Sequence, residues 1–76
     1  MSENSLMTGK ELIQRLRKLA KQRALDMHLE NKRGKGSHIT IYLSERYAVI
    51  PDLKKELKTG TLTAILKQLG ISKEDL

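Results

Sequence analysis

Two histidines, His28 and His38, are the only side chains here of a type that ordinarily exchanges a proton near neutral pH. His38 follows Gly34-Lys35-Gly36-Ser37 and opens a β-branched run. Glycines let a backbone approach a phosphate closely, and the N–H groups of such a turn form an anion nest. Arg33 and Lys35 add positive charge beside it. A histidine next to a phosphate cradle suits RNA cleavage. It can take the 2′-OH proton as that oxygen attacks the adjacent phosphate, while Lys or Arg stabilises the charge developing on the phosphoryl oxygens. The same residues also fit a surface histidine in an ordinary hairpin loop, because a lone glycine-rich turn is a weak signal. Ser37 has no neighbouring base to make it a nucleophile. His28 sits between Asp26 and Glu30, but one histidine supplies too few ligands for a metal site, and a solvated strand residue fits better.

These residues need elements to hold them. Thr8-Gly9-Lys10-Glu11 reads as a capping box, and Leu12, Ile13, Leu16, Leu19 and Ala20 then recur on one helical face. A helix is expected from Gly9 to about Arg23, with residues 1–7 as a flexible tail and 8–76 as one domain. From Leu25 the period changes to two. Leu25, Met27 and Leu29 alternate with polar residues, and after the basic 31–36 loop Ile39, Ile41 and Leu43 do the same. Ser44-Glu45 is a short turn, and Arg46 to Ile50 forms a third strand ended by Pro51. A tight turn there sets Leu43 opposite Arg46, Ile41 opposite Ala48, Ile39 opposite Ile50 and Tyr42 opposite Tyr47. That register puts both tyrosines and both histidines on one polar face. Asp52 to Lys58 is a charged connection with room for a helical turn. A second helix opens at Thr59-Gly60-Thr61, buries Leu62, Ile65, Leu66 and Leu69, and stops at Gly70 with Ile71 packing back. Ser72 can cap one last turn. The order predicts an α+β domain, α-β-β-β-α, with a three-stranded antiparallel sheet carrying two helices on one face.

Composition narrows the function classes. The chain has 76 residues and no cysteine, which excludes disulfides, thiolate zinc sites and thiol catalysis. A reducing, cytoplasmic setting fits. No apolar run approaches a membrane span, and the N-terminus lacks the regions of a signal peptide. The net charge is +6. Residues 10–35 hold nine basic against three acidic side chains, which accounts for the whole excess. Such a concentration favours a polyanion such as nucleic acid, or serves as a solvated helix face. With two Tyr and no Phe or Trp, stacking platforms for single-stranded bases are expected to be scarce. The stretch Leu62 to Ser72 has the look of a helix-turn-helix element, but the strands before it do not supply the partner helix, so no direct DNA binding is expected.

A helix beginning near Gly9-Lys10-Glu11, a strand, and Lys35-Gly36-Ser37-His38 opening the next strand form one recognisable combination. It continues with a basic linker from Lys54 to Leu62 and the stretch Ala64 to Ser72. Together they resemble the HicA (YcfA-like) family of HicA–HicB toxin–antitoxin systems, over roughly Thr8 to Ser72. The resemblance implies a double-stranded-RNA-binding-domain-like fold and a metal-independent mRNA interferase without cofactors. It implies an RNA substrate and an antitoxin of the HicB type that binds the toxin and covers its active site. The family histidine of the G-S-H motif falls on His38, with Gly36 and Ser37 completing the motif. Arg33, Lys35, Gly36, Ser37 and Lys67 are the expected RNA-binding residues. Family members often carry a second histidine straight after the first, and here Ile39 stands there. The neighbouring strand offers His28 as a possible assistant. The first strand also lacks the aromatic residue common in relatives. The rival expectation is a non-catalytic RNA-binding module of the same fold, or an inactive toxin homologue.

Overall fold

The computed structural model describes residues 7–31 and 38–76. Helix α1 covers Gly9–Gln22 and helix α2 Thr59–Leu69. Between them lie β1 (Met27–Asn31), β2 (Ile39–Leu43) and β3 (Arg46–Ile50), and a 3-10 turn, Lys73–Asp75, ends the chain. The sheet is antiparallel in the order β1-β2-β3. This is the expected α-β-β-β-α arrangement.

The capping box forms as the sequence predicts. The Glu11 backbone N–H donates to Thr8 Oγ1 at 3.1 Å, and the Thr8 N–H donates to Glu11 Oε1 at 3.2 Å. Both helices end in the same six-to-one and five-to-two pairs of backbone hydrogen bonds. In α2 the Ile71 N–H reaches the Leu66 carbonyl and the Gly70 N–H reaches Lys67, with Gly70 left-handed at φ 74°. In α1 the Leu25 N–H reaches the Ala20 carbonyl and the Ala24 N–H reaches Lys21. There the left-handed residue is Ala24, at φ 55°. This closure occupies Arg23 to Leu25, so α1 stops at Gln22 and β1 starts at Met27, two residues later than the Leu25 alternation implies.

The hairpin register is the expected one. Leu43 pairs with Arg46, Tyr42 with Tyr47, Ile41 with Ala48 and Ile39 with Ile50. On the other side Met27 pairs with Leu43, His28 with Tyr42 and Leu29 with Ile41. Odd-numbered residues of β1 and β2 therefore share one face with Ala48 and Ile50. Ile41, Leu43, Ala48 and Ile50 are buried there beneath Leu12, Leu16, Leu19 and Ala20 of α1 and Leu62, Ile65, Leu66 and Leu69 of α2. Both helices thus cover one side of the sheet, and the other side faces solvent.

The Asp52–Lys58 connection contains no helical turn. Asp52 instead accepts the backbone N–H groups of Lys54 (2.9 Å) and Lys55 (3.3 Å). Those bonds hold its carboxyl below the usual carboxylate range. The connection runs against the start of α1. Lys10 N–H donates to the Leu53 carbonyl at 3.1 Å, and Leu57 N–H to the Met7 carbonyl at 2.9 Å. Gly9 permits this approach, since a Cβ there would lie 2.3 Å from the Asp52 carbonyl oxygen.

Candidate active site

His38 is exposed and stands immediately before β2, in line with Pro51 just beyond Ile50 of β3. It lines a groove of ≈ 470 Å³ that follows the free edge of β3. Tyr47, Val49 and Pro51 form the sheet side of the groove, and Thr61, Ala64 and Gln68 the α2 side. The groove exists because α2 packs on β3 and presents Thr61, Ala64 and Gln68 beside the stripe it buries, with buried Ile65 shared between the two.

The α2 wall has an electrostatic character of its own. Lys58 occupies the N-cap, no side chain caps the helix, and its first turn holds no acidic residue. The first-turn N–H groups thus keep their partial positive charge. Thr61 belongs both to that turn and to the groove. The arrangement combines an exposed imidazole with a wall suited to an anion, which is the pairing needed to move a proton beside a phosphate.

The other expected site residues fall in different places. Arg33, Lys35, Gly36 and Ser37 lie outside the described residues. Lys67 is exposed in the last turn of α2, about 9 Å along the axis from Thr61. Gln68, not Lys67, lines the groove. His28 shares the outer face with His38 but pairs with Tyr42. Four residues of strand separate Tyr42 from His38, about 13 Å. Direct contact between the two histidines is therefore out of reach. Among the described residues, no three His, Asp or Glu side chains gather as a metal site.

Three rings form a row across the outer face. His28 lies 5.8 Å from Tyr42, centroid to centroid, and Tyr42 lies 5.8 Å from Tyr47. Tyr42 also donates its hydroxyl to Glu30 Oε1 at 3.3 Å. The nearby Glu30 charge, some desolvation and that hydrogen bond raise the Tyr42 pKa above 10.0. The composition suggests that stacking surfaces are scarce, yet register brings both tyrosines and His28 into this single row. The groove residues Val49, Thr61, Ala64 and Gln68 had no signal in chemistry-bearing residue types. Strand alternation and the i, i+3, i+4, i+7 stripe on α2 were the signals that could have found them.

Among the described residues, no helix is long and apolar enough to cross a membrane. Searches of the curated proteins and of the solved structures return no significant match. The family model described as the HicA toxin of bacterial toxin–antitoxin systems matches residues 24–71. That span holds the whole sheet, the groove and α2, and on this match the chain belongs to the HicA toxin family.

Proposed function

We propose that this toxin is a metal-independent endoribonuclease that cleaves mRNA with His38 as its catalytic residue. His38 Nε2 or Nδ1 takes the proton of a 2′-OH as that oxygen attacks the adjacent phosphorus. The bond from phosphorus to the 5′-oxygen breaks, and the leaving oxygen takes a proton from solvent. The products are a 2′,3′-cyclic phosphate and a 5′-hydroxyl. Arg33 and Lys35 hold the backbone, Gly36 and Ser37 shape the phosphate turn, and Lys67 is an outlying backbone contact. The carrying observation is the exposed imidazole of His38 in the groove that α2 walls with an uncapped N-terminus. Membership of the toxin family supports it.

The toxin acts in the cytoplasm, where cleaving mRNA blocks translation until a HicB-type antitoxin binds and neutralises it. The working unit is 8–76. Helix α1 precedes the matched span 24–71, yet Leu12 and Leu16 sit fully buried in the same core. A non-catalytic RNA-binding role has one observation in its favour, namely Ile39 in the place of a second histidine.

The His38→Ala variant separates these readings. Purified chain is incubated with labelled RNA in EDTA and the products are sized. Cleavage by the parent chain and its loss by at least ~100-fold in the variant, with an unchanged circular dichroism spectrum, is the expected result. Binding without cleavage in the parent chain selects the non-catalytic role. Full cleavage by the variant removes His38 from the chemistry.

A further inference from the structure

The outer face of the sheet has a composition that folding does not require. The buried core of this chain is entirely Leu, Ile and Ala. Both tyrosines, and no other aromatic of the Phe, Tyr and Trp set, lie outside it. Tyr47 is 61% exposed and Tyr42 37%. With His28 they stand side by side on adjacent strands, so strand spacing sets the distance between rings. The rings are tilted by 39° and 44° to one another rather than stacked flat, which leaves their faces open.

Two further features say what this row can receive. Glu30 and Thr40 form a cross-strand pair on the same face and bring hydrogen-bonding groups beside the rings. Val49 is the one exposed large aliphatic residue among the described residues. The face therefore offers rings and hydrogen-bonding groups rather than a contiguous apolar patch. Rings flanked by polar groups on a flat sheet are instead the surface on which unpaired bases stack. The charged strand residue on this face is Glu30, so stacking on the rings rather than attraction of phosphates has to supply the affinity here. The face also runs into the candidate active site, because Tyr47 and Val49 belong both to the face and to the groove with His38.

We infer that the outer face is a single-strand RNA platform, on which Tyr42, Tyr47 and His28 stack the unpaired bases flanking the phosphate presented to His38. The inference rests on the reading of the His38 groove as an RNA-cleaving site. It makes the substrate single-stranded, since bases within a duplex have no free faces to offer these rings. Tyr47 and Tyr42 are positioning residues for the strand, acting on where it lies rather than on proton transfer.

The chain lacks Trp, so its intrinsic emission comes from Tyr42 and Tyr47 alone. A mixed-sequence 2′-O-methyl RNA strand, which has no free 2′-OH to attack, is titrated into the whole chain alone and after annealing to its complement. Saturable quenching of tyrosine emission by the single strand, with little response to the duplex, is expected. Tyr42→Leu and Tyr47→Leu should each weaken single-strand binding by about 5- to 150-fold, the range for losing one base–aromatic stack. Tyr47→Phe keeps the ring and should stay within about 2-fold of the parent chain. Single-strand binding without quenching overturns the platform, as does unchanged affinity in the two Leu variants. So does a pair of Leu variants that bind and cut RNA normally but escape the antitoxin, which would make the face a protein interface. The quenching and affinity outcomes do not depend on His38, because the probe cannot be cut. Loss of the His38 chemistry would show only in the cleavage assay.

Discussion

The two faces of one three-stranded sheet are built from alternate residues of the same strands, and they could hardly differ more. On the inner face, Ile41, Leu43, Ala48 and Ile50 are buried under the helices, with Met27 and Leu29 partly buried beside them. On the outer face, His28, Glu30, Tyr42, Tyr47 and Val49 are exposed, with Thr40 half-buried between them. The inner face holds no aromatic ring, and its polar residues, Asn31 and Arg46, are exposed at strand ends. The outer face holds all of the rings and none of the core. A period of two thus separates buried from exposed side chains within fifteen strand residues. The lesson is that side chains important for stability and for the site can be read apart by parity, and substitutions should confirm the split.

Truncation on the inner face gives the largest expected effect. Ile41 is fully buried, and Ile→Ala at such a site costs about 2–5 kcal/mol through lost burial and the cavity left behind. Total stability for a domain is about 5–15 kcal/mol, with small ones at the low end, so Ile41→Ala should leave the chain largely or wholly unfolded. Urea denaturation followed by circular dichroism measures this. Tyr47→Ala, one strand away on the outer face, should shift stability by no more than about 0.5 kcal/mol. Comparable losses at both positions would break the contrast between the faces.

Two helix-start glycines sharpen the same distinction between packed and open surface. A Cβ on Gly9 would meet the Asp52 carbonyl at 2.3 Å and Ile50 Cγ2 at 2.8 Å, at the end of the inner layer. Backbone cannot yield as a flexible side chain can, so Gly9→Ala should cost about 1–3 kcal/mol. Gly60, in the first turn of α2, has nothing within 4 Å of the same position. Gly60→Ala should gain about 0.4–1 kcal/mol by restricting the unfolded chain. Thermal midpoints moving in opposite directions are the expected outcome.

Much of this architecture was legible in the sequence because local rules and tertiary packing agree. The Thr8 capping box and the stop at Gly70 each rest on a residue type suited to the job, while Ser44 turns left-handed at φ 57° without such a signal. The hairpin register followed from putting Ile39, Ile41, Ala48 and Ile50 on one side. What stayed hidden lacks such a residue-type signal. Ala24 takes a left-handed conformation that alanine does not advertise, so β1 starts two residues after the alternation does. Asp52 capping its own connection looked like the start of a helical turn. The groove beside His38 depends on how α2 settles on β3, a long-range contact between residues as ordinary as Val49, Ala64 and Gln68. His38 stood out as a candidate through the G-S-H motif of the resemblance, since a glycine-rich approach alone is a weak signal. Its separation from His28 became visible only with the full three-strand register.

The smallest effect is the most local, and it tests the polar side of the comparison. Among the described residues, exposed Tyr42 and half-buried Asp52 and Asp75 have shifted titrations, and they respond at opposite ends of the pH scale. Asp75 is held below the usual carboxylate range by the Ser72 backbone N–H and then by Arg23, whose guanidinium lies 3.0 Å away. Asp52 is lowered by the Lys54 N–H. For both, the folded-state pKa lies below the unfolded one. Their stabilising contribution is present above the unfolded value and is lost as pH falls through the folded value. Tyr42 shifts the other way, because the Glu30 carboxylate opposes a second negative charge beside it. Its folded pKa lies above its unfolded value of 10.0. The contribution is complete below that value and is lost as pH rises through the folded pKa. Glu30→Gln removes the charge while keeping an amide oxygen to accept the hydroxyl. Tyrosinate absorbance should then show Tyr42 titrating lower, with acid unfolding unchanged. If the Tyr42 titration does not move, the Glu30 contact fails to form in solution. The outer face would then keep its ring row but lose the polar partner that fixes Tyr42 at its centre.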